Sequence, residues 1–159
     1  MLTEVKALYP NEYLIGIEGL KIIEDEIGVQ LDEDEAGYIA IHIINAELNV
    51  GSENTVRLIK LAKEIMKIIE EHFNIEFEVN TLKSSRLLTH LKFLARRILM
   101  NETIDFCDES EMYEILLKNN AELKKCLGKI VSYLKEEYEY DLSHDEQIYL
   151  MIHLLKIIK

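Results

Sequence analysis

The chain writes one helical pattern twice at a fixed spacing. Residues 32–47 read DEDEAGYIAIHIINAE, and residues 143–158 read SHDEQIYLMIHLLKII. An offset of 111 places Asp34 on Asp145, Glu35 on Glu146, Tyr38 on Tyr149, Ile41 on Ile152 and His42 on His153. The same offset carries Leu31 onto Leu142 and maps segment 17–44 onto 128–155, including the helix expected before each motif. Two unrelated amphipathic helices share apolar positions by chance. Shared Asp, Glu, Tyr and His in one register weigh against that reading. About fifty residues make up the first copy and about a hundred the second. The expected organisation is half a module followed by a whole one.

Local signals agree on an all-α chain. Pro occurs once and Gly six times in 159 residues, leaving long stretches without a helix breaker. A first helix is expected over Leu2–Tyr9, ended by Pro10, and a second from about Glu12 to Ile27 with Gly28 as its stop. Asp32 opens a third helix, whose first turn carries Glu33, Asp34 and Glu35 where the helix dipole favours acids. The polar run NVGSEN, residues 49–54, is the expected linker. Leu58, Leu61, Ile65, Ile68 and Ile69 form a helical stripe over Thr55–Phe73, and Leu87, Leu91, Leu94 and Ile98 form another over Leu82–Met100. Residues 75–80, IEFEVN, alternate briefly and are read as loop. Two further helices precede the last, where Ser143 and Glu146 have capping-box spacing.

Charge narrows the function. The net charge of −12 repels a phosphate backbone, which disfavours direct nucleic-acid binding. Yet Val79–Asn101 contains no acid while carrying Lys83, Arg86, Lys92, Arg96 and Arg97. This basic island suits either a solvated helix face or a receiver for an anionic group. No apolar run approaches the ~20 residues that span a bilayer, and no signal peptide opens the sequence. Cys107 and Cys126 lack metal-ligand spacing and fit reduced thiols in a cytoplasmic protein.

The five histidines differ in their company. Glu146, Tyr149 and His153 fall on one helix face, as do Glu35, Tyr38 and His42. Such an imidazole is either a packed boundary residue or a titrating, phosphate-accepting one. His90 lies inside the basic island with Arg86 and Arg97 on its face, so a phosphoryl group on it would find a guanidinium nearby. His72 and His144 show no such neighbours. No phosphate loop, GxSxG, HExxH or Cys/His signature occurs, so neither an active site, a metal site nor a cofactor is expected.

The stretches GYIAIHIINAEL, SSRLLTHLKFLARRIL and DEQIYLMIHLLKII resemble the PTS regulation domains (PRDs) of BglG/LicT-type transcriptional antiterminators. The resemblance covers nearly the whole chain. Residues 1–50 are similar to the C-terminal part of a first PRD, and 54–159 to a complete second PRD. It implies compact helical bundles that pair into homodimers. It also implies histidines phosphorylated by the phosphotransferase system, through the phosphocarrier HPr and a sugar-specific enzyme II. By motif, His42 matches the second histidine of the first PRD. His90 and His153 match the two histidines of the second, and Arg86 the arginine before its first histidine. Arg97 is a further phosphate-supporting candidate from its place on the face of His90. The family's RNA-binding domain, and the front half of the first PRD, are not among these residues. RNA would be reached only through a domain outside this chain. Two other readings stay open: PRDs attached to a DNA-binding activator, and a helical oligomerisation scaffold whose histidines merely pack.

Overall fold

The computed structural model describes residues 2–77, 81–102 and 110–158. Among these residues the regular structure is helical throughout, in the order α1 (Leu2–Leu8), α2 (Pro10–Ile27), α3 (Glu33–Leu48), α4 (Ser52–Phe73), α5 (Leu82–Met100), α6 (Ser110–Lys118), α7 (Ala121–Tyr138) and α8 (His144–Ile158). The chain divides into two compact units, Met1–Lys63 and Glu64–Lys159, with the boundary inside α4.

In the first unit, Pro10 does not stop a helix so much as start one. It stands in the first turn of α2, where its missing N–H costs nothing. Tyr9 is the residue before α2, with φ −134°. Gly28 ends α2 in the left-handed conformation, φ 72°, with its N–H donating to the Glu24 carbonyl. α2 and α3 cross closely because Gly16 has no side chain. A Cβ there would overlap the carbonyl of Ala36. Val5, Leu8, Tyr9, Ala36, Ala40, Ile41 and Ile44 bury their side chains. An ion pair between Lys63 and Glu4, 2.6 Å long, joins α4 to α1.

In the second unit, Thr81 caps α5, its hydroxyl oxygen accepting from the Ser84 N–H at 3.2 Å. The stripe expected on α5 is buried: Leu87, Leu91, Leu94 and Ile98, joined by Leu88 and Ala95. Leu123, Cys126, Leu127, Ile130 and Leu134 of α7 and Ile148, Leu150, Met151 and Leu154 of α8 complete the core. Burial pushes the Cys126 thiol up to about 11, so it remains protonated and inert. Cys107 and residues 78–80 of the expected loop lie outside the described residues; Ile75–Phe77 have no regular structure.

The repeat is structural as well as sequential. Shifted by 111, the bounds of α2 fall on those of α7, and α3 begins where α8 begins. Gly28 and its counterpart Glu139 both end their helices left-handed, with φ 72° and 52°. Tyr9 and its counterpart Asn120 both precede their helices with φ near −140°, at −134° and −142°. Physically, each helix stops because the next residue adopts a conformation that a helix cannot continue.

Candidate functional site

The site is built where α5 meets α8. Ser143 places the start of α8, its hydroxyl accepting from the Glu146 N–H at 3.3 Å. Only this half of the expected capping box is made. The Glu146 carboxylate does not turn back on Ser143 but reaches across to α5. Arg97 Nε donates to Glu146 Oε1 at 2.7 Å, and Arg97 Nη2 donates to Oε2 at 2.9 Å. This is a two-pronged guanidinium–carboxylate pair, the geometry that makes such bonds strong. Glu146 is 4% exposed, so the charge is sustained by Arg97 rather than by water.

Seven residues from each of these partners stands a histidine: His90 before Arg97 and His153 after Glu146. The two helices run antiparallel here, so the pairing of Arg97 with Glu146 brings His90 to His153. Their ring centroids are 5.8 Å apart, with planes 26° from parallel. Tyr149 completes the cluster. It stacks on His90 at 4.3 Å and leans on His153 at 4.9 Å. Tyr149 is 53% exposed, so its ring is a solvent-facing cover over both imidazoles.

The electrostatics of His90 follow from this packing. Burial, then the Arg97 guanidinium, then His153 hold its imidazole down at about 3. At neutral pH His90 is therefore uncharged, and one ring nitrogen keeps a lone pair. His153 is shifted downward too, first by burial and then by Lys156 and Arg86. Neutral imidazoles are the form that can accept a phosphoryl group.

The candidates named from sequence are thus only partly brought together. His90, His153 and Arg97 share one cluster. In the unmodified chain Arg97 gives both prongs of its fork to Glu146. Arg86 is exposed, and its charge is felt at His153. His42 lies in the first unit, exposed on α3, with Tyr38 and Glu35 also exposed. His72 packs: its ring meets Phe73 edge-on at 4.8 Å, and Nε2 lies 3.0 Å from the Glu122 carbonyl oxygen. His144 is exposed but has company that its sequence neighbours did not suggest, a stack on Tyr113 at 4.2 Å. The residue whose role sequence reasoning missed is Glu146 as the partner of Arg97. The signal was there: two seven-residue spacings, His–Arg and Glu–His, match when two helices run antiparallel.

Comparison with known proteins bears on what such a site is for. The family model described as PRD domain matches residues 1–46 and 63–157. The chain is 40% identical over 159 residues to a protein of Bacillus subtilis named transcription antiterminator LicT, covering all of this chain and 57% of that protein. It is 33% identical over 154 residues to the beta-glucoside operon antiterminator of Dickeya chrysanthemi, covering 97% of this chain and 54% of that one. A third relative, the PtsGHI operon antiterminator of Bacillus subtilis, is 29% identical over 157 residues, which make up 98% of this chain and 55% of the relative. The chain spans little more than half the length of these relatives.

Proposed function

The chain belongs to the PRD domain family, and from that premise we propose that it is the phosphorylation-controlled regulatory part of a sugar-responsive transcriptional antiterminator. Residues 1–50 are the C-terminal part of one PRD, and 54–159 are a complete second one. His90 and His153 accept phosphate in the second, and His42 in the first. The donors are the phosphocarrier HPr and a sugar-specific enzyme II of the phosphotransferase system. The chain acts without catalysing a reaction of its own, in the cytoplasm, as a homodimer. RNA is bound by a domain outside these residues.

One observation supports this reading most: two imidazoles held uncharged, 5.8 Å apart, under a single solvent-facing tyrosine. Burial, with Arg97 beside His90, keeps these rings in the deprotonated form. An acceptor needs that form, since its nucleophile is the lone pair. Arg86, exposed and within electrostatic reach of His153, supplies positive charge for an approaching phosphate in a chain of net charge −12. Phosphorylation turns a neutral ring into a dianionic group. Placed at a buried seam between two copies, that charge is costly to desolvate and shifts the dimer equilibrium. A coupling of about 1–3 kcal/mol is enough for regulation.

The test is phosphotransfer. The chain is incubated with phosphoenolpyruvate, enzyme I and HPr, and phosphopeptides are mapped under conditions that preserve phosphohistidine. Phosphate on His90 and His153 is expected. Phosphate on neither would reduce the domain to a packing scaffold.

A further inference from the structure

His90 Nε2 is buried and has no hydrogen-bond partner, although Glu146 Oε2 lies 3.8 Å away. At that separation no hydrogen bond joins the two, so the nitrogen is left without a partner. The same Oε2 is held on its other side by Arg97 Nη2 at 2.9 Å. Glu146 therefore stands between the arginine fork and the nucleophilic nitrogen of His90. A phosphoryl group joined to that nitrogen would put its oxygens into the space the carboxylate now fills.

We propose that Glu146 is a built-in stand-in for phosphate: it occupies Arg97 in the unmodified chain and surrenders it when His90 is phosphorylated on Nε2. Arg97 then exchanges a carboxylate for a phosphate, and the displaced Glu146 loosens the start of α8 from α5. The exchange rests on the phosphate acceptance proposed above and adds to it the acceptor atom and the group that is expelled. In the transfer, the Nε2 lone pair attacks phosphorus of a donor phosphohistidine, and the donor's N–P bond breaks with its electron pair returning to the donor ring. The proton on Nδ1 of His90 ends on the donor imidazole, so charge and protons balance.

Chemistry favours the exchange in both directions that matter. A guanidinium fork fits either anion, so Arg97 loses no partner. A buried carboxylate beside a phosphate dianion is repelled, so the two cannot share the site. Glu146 lies in the first turn of α8, one turn before Tyr149 and two before His153. Its release is thereby passed to the rest of the cluster along a single helix.

The experiment compares the parent chain with Glu146→Gln and with the double variant Arg97→Gln/Glu146→Gln, each phosphorylated by phosphoenolpyruvate, enzyme I and HPr. Glutamine keeps the shape and can still accept from Arg97, and circular dichroism confirms that each variant folds. In the parent, phosphorus NMR should place the phosphate of His90 on Nε2, and the Arg97 Nε–H resonance should move on phosphorylation. Glu146→Gln should accept phosphate on His90 about tenfold faster or more, the scale of an ordinary coupling between sites. The double variant should lose that phosphate faster than Glu146→Gln does, having no fork to hold it. An unchanged or slower rate in Glu146→Gln, phosphate on Nδ1, or an unmoved Arg97 resonance would each overturn the exchange. A parent chain with no phosphate on His90 would instead overturn the functional reading beneath it.

Discussion

Replacing His90 by Gln should flatten the acid limb of the chain's stability. In the native state burial, Arg97 and His153 hold this imidazole at about 3, against 6.5 when unfolded. Between those two values the unfolded ring takes a proton that the native ring refuses, so the unfolded state gains as pH falls. The contribution is fully present above the unfolded value and is lost progressively as pH drops toward the folded one. At about pH 4.5, two units below the unfolded value, the loss attributable to His90 is about 2–3 kcal/mol. Urea unfolding at pH 7 and pH 4.5, followed by far-UV circular dichroism, gives this loss for parent and variant. Carboxylates common to both chains cancel in the difference between the two losses. The groups facing His90 are Arg97 on its own helix and Glu146, Tyr149 and His153 on α8. All four remain in the variant. Equal acid sensitivity in the two chains, or a His90 ring proton that titrates near 6.5 by NMR, would show that His90 is not held deprotonated in the native state.

Gly16→Ala should destabilise the first unit by about 1–3 kcal/mol in urea unfolding, because the added methyl meets the Ala36 backbone, which cannot swing aside. Glu139→Gly should stabilise by about 0.5–1 kcal/mol, since Glu139 holds φ 52° at a helix end where its counterpart Gly28 is unstrained. The two arginines of the basic island should separate cleanly. Exposed Arg86→Ala should change stability by less than about 0.5 kcal/mol while slowing phosphotransfer, whereas Arg97→Ala should cost about 3–5 kcal/mol because it strands the buried Glu146.

Much of the architecture was legible because it is written locally. Gly28 ends α2 as expected and Asn49, at the start of the polar run, ends α3, whereas Pro10 opens α2 rather than closing α1 and Ser52–Asn54 of the expected linker already belong to α4; the apolar stripes of α4 and α5 follow a 3.6-residue period. The offset of 111 foretold that α2 matches α7 and α3 matches α8. What local rules could not see was the partner of a charge. Spacing along one helix put Arg97 beside His90, and spacing along another put Glu146 beside His153. It could not say that Arg97 spends its fork on Glu146, 49 residues away. The repeat misled slightly for the same reason. Glu35 and Glu146 are equivalent in sequence, yet Glu35 is exposed and Glu146 is buried against α5. The capping box failed likewise, since an ion pair to Arg97 outcompeted a bond to the helix's own backbone.

Phosphate on the paired histidines is proposed to change how copies of this chain associate. Sedimentation velocity over a range of concentrations measures this directly. It is applied to the chain before and after phosphotransfer, alongside a His90→Gln/His153→Gln variant taken through the same treatment. Phosphorylation should shift the monomer–dimer equilibrium of the parent at least fivefold, consistent with a coupling of about 1 kcal/mol or more, and leave the variant where it was. A parent phosphorylated on both histidines whose association constant does not move would contradict that proposal.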